Sequence, residues 1–316
     1  NFYSNLEIDL YEKNNKKYKT DYKTDFILNY LNSNSFNENA FYIQSTIDQK
    51  LQQISEKSLL DNLAFFERKY KNWTGSYKNL EDILKFKNDH WHIAKVISKN
   101  SNLIELLLIN TEEVITLDEN KNSYGPKKVK PNIYLNLNDY LFVTKIDNSF
   151  YAVQLHEING SVIIMDPFNG DIVSMVGGVN YELSNFNRVN QAYRQPGSSI
   201  KPFIYAKALE TKKFLPNTLI LDSNILLDQG ENLPVWVPKN YSNKSYGEIT
   251  FRRALETSNN LVTLKIGLDL GLNSVNKFLD KINFYDKKNL TDVYSTLLGA
   301  VENNLLNLAK SYSIFL

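Results

Sequence analysis

The segment Arg194-Gln195-Pro196-Gly197-Ser198-Ser199-Ile200-Lys201-Pro202-Phe203 carries the residues best spaced for chemistry. Ser198 and Lys201 are three apart, so on a helix their side chains leave from one side. A serine hydroxyl is a weak nucleophile until a base takes its proton. Lys201 can be that base if burial and a positive helix end lower its proton affinity. Ser198 falls at the expected helix start, where the dipole favours a developing alkoxide. S-x-x-K is short and recurs by chance, so its weight comes from a second element, the S-x-N triplet Ser258-Asn259-Asn260. There Ser258 can relay a proton between Lys201 and a leaving nitrogen, and the Asn260 amide can bond a substrate's peptide group. The alternative for this triplet is that Thr257, Ser258 and Asn259 simply cap a helix.

Other groups carry less. His90 and His92 flank Trp91, and on a strand both would face one side. A metal is conceivable there, but His156 is the only other histidine and no carboxylates join them at ligand spacing. They read as surface or core of a β module, and neither a metal nor a cofactor is expected. Asp166 and Asp171 bracket a turn and read as turn residues rather than paired catalytic carboxylates. Cysteine is absent, which excludes disulfides, thiolate catalysis and cysteine-ligated zinc.

The elements that must position these residues are partly readable. The chain has 316 residues, of which 36 are basic and 35 acidic, a net charge of +1. That balance offers no general field for a polyanion. With 42% hydrophobic and 13% aromatic residues, a packed core is available. The length corresponds to about two domains. No stretch approaches the roughly 18 apolar residues of a spanning helix, and no signal peptide is visible.

Residues 1–40 are rich in Tyr, Lys, Asn and Asp, with a tandem Tyr18–Asp21 and Tyr22–Asp25, and read as a solvated linker. Phe41 to Thr46 reads as a short strand. Leu51, Ile54, Leu59, Leu60, Leu63 and Phe66 predict a helix over 47–70, with Asp48 at its start. Between 88 and 157, apolar runs at Ile93–Ile97, Leu103–Ile109, Val114–Leu117, Tyr140–Val143 and Tyr151–Leu155 predict a small all-β module, OB-like in spacing. Seven lysines face eight carboxylates between 88 and 150, so a phosphate-tracking groove is not expected and a spacer or protein contact is. Ser161–Met165 and Ile172–Val176 predict a hairpin turning at Pro167, Asn169 and Gly170, inside a sheet covered on both faces. Helices are expected over 198–212, 250–268, 273–282 and 302–316, with a long functional loop between the first two.

With these residues in place, the chain resembles the penicillin-binding transpeptidase region of the bifunctional, class A penicillin-binding proteins. The resemblance rests on several segments in the family's order. They are Thr46-Ile47-Asp48-Gln49-Lys50-Leu51-Gln52, Met165-Asp166-Pro167-Phe168-Asn169-Gly170 with Met175-Val176-Gly177-Gly178, and Phe186-Asn187-Arg188 through Phe203. Trp236-Val237-Pro238-Lys239-Asn240-Tyr241 with Tyr246-Gly247, and Leu298-Gly299-Ala300 with Glu302, Leu305, Leu308, Ala309 and Tyr312, complete it. It covers about residues 41–316.

The resemblance implies an α+β fold, the penicillin-binding-protein and serine β-lactamase-like transpeptidase domain, an antiparallel sheet flanked by helices. A small OB-like module would be inserted in it. The implied layout is a linker remnant at 1–40, the start of the transpeptidase region at 41–87, the β module at 88–157 and the transpeptidase domain at 158–316. The implied chemistry is cross-linking of peptidoglycan stem peptides ending in D-Ala-D-Ala, with carboxypeptidase activity when water replaces the acceptor amine and with β-lactams as trapping inhibitors. Ser198 would be the nucleophile and half of the oxyanion hole through its N–H, Lys201 the base, and Ser258 and Asn260 the second element. Trp236 and Asn240 would line the substrate groove. The implied location is the cell envelope, periplasmic or at the outer face of the cytoplasmic membrane. The parent's anchor and glycosyltransferase domain would lie outside these residues, and contacts with cell-wall machinery are conceivable.

No K-T-G or K-S-G occurs in the sequence. In the family that motif lies on a later strand, holds the substrate carboxylate and completes the oxyanion hole. A chain ending before it is expected to be inactive alone and to expose a sheet edge. Two alternatives stand beside the transpeptidase reading. One is a serine β-lactamase, disfavoured by the Phe186–Phe203 segment and the inserted β module. The other is a non-enzymatic remnant or envelope scaffold.

Overall fold

A computed structural model describes residues 21–33, 43–86, 90–100, 103–155, 157–228, 234–285 and 293–316. Helix α1 (Tyr22–Ser33) comes first, then α2 (Gln49–Tyr70) and α3 (Leu80–Leu84). The β module follows as β1 (His92–Lys99), β2 (Leu103–Leu108), β3 (Val114–Asp118), a short α4 (Pro131–Tyr134), β4 (Tyr140–Ile146) and β5 (Ser149–Val153). A hairpin, β6 (Val162–Met165) and β7 (Ile172–Val176), leads to a 3-10 turn at Gly197–Ile200 and α5 (Lys201–Glu210). Strands β8 (Leu219–Asp222) and β9 (Gly247–Thr250) precede α6 (Phe251–Glu256), α7 (Asn260–Leu270) and α8 (Leu272–Lys281). A 3-10 turn at Tyr294–Leu298, α9 (Leu305–Tyr312) and a last 3-10 turn at Ser313–Phe315 close the described part.

The β module is one antiparallel sheet in the order β3-β2-β1-β4-β5. Alternate side chains on its strands enter a core of Val96, Ile104, Leu106, Leu117, Leu141 and Val143. Its two edge strands approach each other through Asn122, which is fully buried just beyond β3. The Asn122 amide donates to the carbonyls of Asp118 (2.9 Å) and Phe150 (3.2 Å) and accepts from the N–H of Ala152 at 2.7 Å. A curled five-stranded sheet is what the structure shows here; the OB-like label remains an expectation.

Helix α2 joins this module to the rest. Asp48 caps it, its carboxylate accepting from the Leu51 N–H at 2.8 Å. The buried face keeps Leu59 and Leu60 of the expected apolar stripe, with Leu51 and Leu63 half-buried, but it also holds Gln52, Ser55, Ala64 and Glu67, while Ile54 and Phe66 point to solvent. Gln52 explains why a polar residue is buried. Its amide accepts from the Met175 N–H (2.9 Å) and donates to the Met175 carbonyl (3.0 Å), so it pairs with β7 as a neighbouring strand would. Glu67 accepts from the Glu157 N–H at 2.8 Å, fixing where the chain leaves the β module.

Four other expectations change. Residues 43–46 form no ladder; Thr46 Oγ1 and the Asp48 N–H instead donate to the carbonyls of Ile172 and Val173. Phe41 and Tyr42 lie outside the described residues, as do His156 and most of the 1–40 linker. Within that linker, residues 22–33 are helical. Tyr22 anchors α1, its hydroxyl sharing one proton between the carbonyls of Ser184 (2.7 Å) and Asn180 (3.1 Å) against the bare backbone of Gly177 and Gly178, where a Cβ would strike its ring. The β6–β7 hairpin packs against α1, α2 and α9, but among the described residues its strands pair only with each other. The expected long loop between 212 and 250 contains the β8–β9 pair.

Candidate active site

Glycine sets the turn that carries Ser198. Gly197 has φ +55°, a conformation that is strained for residues with a Cβ. Its N–H donates to the Gly299 carbonyl at 3.1 Å, and a Cβ on Gly299 would sit 2.2 Å from the Gly197 oxygen. The Leu298-Gly299-Ala300 segment therefore works by close backbone approach. Arg194 and Asn303 form a two-way backbone bridge beside it, and the Tyr312 hydroxyl donates to the Ser199 carbonyl at 2.8 Å. Ser198 is exposed in the 3-10 turn, and its N–H, in the first turn, has no intrahelical acceptor.

Lys201 begins α5 and is turned inward. The residue is only 1% exposed, and its helical neighbours Ile200, Phe203 and Ile204 enter one apolar core with Leu264 and Leu297. Its Nζ reaches Asn260 Oδ1 at 2.7 Å, Ser258 Oγ at 3.0 Å and the Ser258 carbonyl at 2.5 Å. Burial pulls its proton affinity down to about 8, because an ammonium loses solvation there.

Ser258 occupies a break between two helices. The S-x-N triplet reads from sequence as a helix-to-helix junction, and the helical stretch expected over 250–268 does divide there into α6 and α7, with Ser258 at a left-handed φ of +52°. Helix capping falls to its neighbour, since Asn259 accepts from the Val262 N–H at 2.9 Å. That frees Ser258 to face Lys201. Asn260 then opens α7, with its oxygen on Lys201 and one amide N–H donating to the Lys239 carbonyl at 2.9 Å. Ser198 and Lys201 thus share one short helical segment, and the structure brings Lys201, Ser258 and Asn260 into direct contact.

Trp236 and Asn240, the two residues expected to line the substrate groove, have distinct surroundings. Trp236 is half-buried, packed on the core that holds α5 and bridged through its backbone to Leu227. Asn240 is buried, with its polar atoms directed inward. It donates to the carboxylate of Asp222 (3.0 Å) and to the Lys244 carbonyl (2.9 Å), and it accepts from the N–H groups of Asn260 (2.9 Å) and Leu261 (3.3 Å). Asp222, absent from the sequence reading, is 1% exposed. A lone Asp ending a short apolar run, Leu219–Leu221, is the signal that marks it.

The remaining candidates have structural surroundings. His90 Nε2 lies 3.3 Å from Glu56, and among the described residues no group of three or more metal-ligating side chains occurs. Asp166 and Asp171 close the hairpin turn, Asp166 accepting from the Phe168 N–H and Asp171 from the Asn169 amide.

Comparison with known proteins now adds to this geometry. Residues 160–307 match the penicillin binding protein transpeptidase domain. Penicillin-binding protein 1A of Rickettsia conorii (strain Malish 7) is 34% identical over 307 residues, which is 91% of this chain and 37% of that protein. The chain belongs to the penicillin-binding protein family, as a transpeptidase region. Penicillin-binding protein 1A of Aquifex aeolicus is 30% identical over 319 residues, 96% of this chain and 41% of its own length. The crystal structure of penicillin-binding protein 1A from Haemophilus influenzae superposes with a TM-score of 0.78 at 24% identity, over 95% of this chain and 46% of that one. That likeness establishes the fold, an antiparallel sheet with flanking helices. The chain spans about two fifths of the length of these curated relatives.

Proposed function

We propose that this penicillin-binding protein region carries out acyl-serine D,D-transpeptidation of peptidoglycan stem peptides ending in D-Ala-D-Ala. The observation that carries the reading is the buried amine of Lys201, held by both residues of the S-x-N pair.

The hydrogen-bond inventory gives the proton logic. The Ser258 carbonyl and Asn260 Oδ1 can only accept. An ammonium at Lys201 therefore fills all three contacts as a donor. A neutral amine keeps two N–H bonds, and its lone pair takes the Ser258 hydroxyl proton as a hydrogen bond. Rotation of Ser258 frees that lone pair for the Ser198 proton. Ser198 Oγ then attacks the penultimate D-Ala carbonyl, and the Ser198 N–H contributes to holding the oxyanion. Collapse expels the terminal D-Ala as an amine, which receives the proton from Lys201 through Ser258. An amine of a neighbouring stem peptide then takes the acyl group and restores Ser198; water in its place gives carboxypeptidase activity.

Asn260 retains a second amide N–H beyond the one given to Lys239, and this donor suits a substrate carbonyl. β-Lactams present the same acyl centre and would acylate Ser198. The domain layout is read as a helical transpeptidase unit with the β module inserted after α3. The β module's balanced charge suits a spacer or protein contact rather than nucleic acid. We place the reaction in the cell envelope, outside the cytoplasmic membrane, where the substrate lies; among the described residues no helix is long and apolar enough to cross a membrane.

The test is labelling by a fluorescent penicillin of the longest chain the gene encodes. Stoichiometric labelling that disappears in Ser198→Ala is expected. Undiminished labelling of that variant would refute the nucleophile assignment.

A further inference from the structure

The hydrogen bonds around Asn240 lead from a buried carboxylate to the catalytic amine. Asp222 ends β8 and accepts from Asn240 Nδ2 through both oxygens, at 3.0 and 3.1 Å, and from the Tyr246 N–H at 2.9 Å. The second Asn240 amide proton goes to the Lys244 carbonyl. With its nitrogen fixed this way, Asn240 must turn its oxygen toward α7. There it accepts from the first two N–H groups of the helix, those of Asn260 and Leu261. These are orphan donors of a helix start, and a buried one left without a partner is costly.

The same loop grips the Asn260 side chain from the other end. The Lys239 carbonyl takes an Asn260 amide N–H at 2.9 Å, which leaves the Asn260 oxygen facing Lys201 Nζ at 2.7 Å. Two adjacent residues of one loop therefore hold both the backbone and the side chain of Asn260. An Asn amide is nearly symmetric in shape, so these bonds decide whether its oxygen or its nitrogen meets the amine. A nitrogen there would set donor against donor.

We propose that Asp222 and Asn240 are positioning residues for the reaction, orienting Asn260 and through it Lys201. This assigns Asn240 a role away from the substrate groove and gives Asp222 a role in the site without contact with substrate. The inference rests on the acyl-serine reading above for its consequence in activity, and on geometry alone for its consequence at Lys201.

An exchange of the two side chains tests it. Asp222→Asn places an amide nitrogen against the nitrogen of Asn240, and Asn240→Asp sets two carboxylates together in a buried space. The double exchange restores one donor and one acceptor, leaving the Lys244 carbonyl as the contact not rebuilt. In the longest chain the gene encodes, the rate constant for fluorescent-penicillin labelling is measured alongside thermal melting for parent, both single variants and the double exchange. Each folded single variant should label at least about tenfold more slowly, and the double exchange should recover most of the loss. Folded single variants within twofold of the parent, or a folded double exchange no faster than the slower single, would overturn the proposal. If the single variants do not fold, the double exchange decides by the same criterion: labelling near the parent's rate supports the proposal, and a folded double exchange tenfold slower overturns it. A parent that takes no label would instead count against the acyl-serine reading. The Lys201 amine, followed by carbon-13 titration of its ε-carbon, then decides the positioning role. Folded single variants should titrate away from the parent, and the double exchange should return toward it; identical titrations in all folded proteins would overturn the proposal.

Discussion

The β module and the helical lobe around Lys201 use burial for opposite ends. In the module, strands β1–β5 enclose Val96, Ile104, Leu106, Leu117, Leu141 and Val143, and buried Asn122 spends its amide on backbone groups that would otherwise be orphaned. In the lobe, comparable burial surrounds an amine. Lys201 is driven toward neutrality by the same exclusion of water that stabilises the module. A buried side chain that completes the hydrogen-bond ledger lowers the energy of the fold. A buried side chain kept near its titration point gives up stability for reactivity, and it needs neighbours such as Ser258 and Asn260 that tolerate both protonation states.

The sharpest way to break this contrast is Lys201→Met. Removing the base should slow penicillin labelling by about 10²–10⁴-fold while the chain still melts cooperatively. A variant that labels at the parent's rate would remove Lys201 from the chemistry. In the module, Leu106→Ala should cost about 2–5 kcal/mol of stability through the cavity it leaves. Denaturant melts would read that loss, and the labelling rate of the remaining folded protein should not change. A module variant that alters the rate without altering stability would join the two regions.

The pH profile sharpens the same point. Lys201 acts as a base only when neutral, and its proton affinity is lowered to about 8. The labelling rate should therefore climb about tenfold per pH unit below that value and level off above it. A rate that is flat between pH 6 and 9 would contradict a buried amine as the base. The smallest expected effect is at the start of α2. Asp48→Ala removes the cap of α2 and should lower stability by about 1 kcal/mol, with no change in the labelling rate.

Much of this was legible where chemistry is local. The short apolar runs Ile93–Ile97 and Leu103–Ile109, set between turn residues, mark strands, and each turns alternate side chains to the core. The S-x-x-K and S-x-N spacings mark Lys201, Ser258 and Asn260 because short separations on helical segments leave few ways to arrange them. What stayed hidden depends on partners distant in sequence. Gln52 is buried because Met175 lies 123 residues away and needs a strand-like neighbour. Asn240 reads as a groove residue until Asp222 and the start of α7 are seen around it. Ile54 and Phe66 fit the helical period of α2, yet its buried face mixes Leu59, Leu60 and Ala64 with Gln52 and Glu67, the two polar residues that meet β7 and the end of the β module. The β8–β9 pair is short and broken by 24 intervening residues, Ser223 to Tyr246, so periodicity offers no signal for it.

The central claim is that Ser198 is acylated with Lys201 as its base. Mass spectrometry of proteolytic fragments after exposure of the longest encoded chain to benzylpenicillin tests it most directly. The account predicts one stoichiometric penicilloyl adduct on Ser198, lost in Ser198→Ala and formed far more slowly in Lys201→Met. An adduct on another residue, or equal adduct formation with Lys201 replaced, would contradict it.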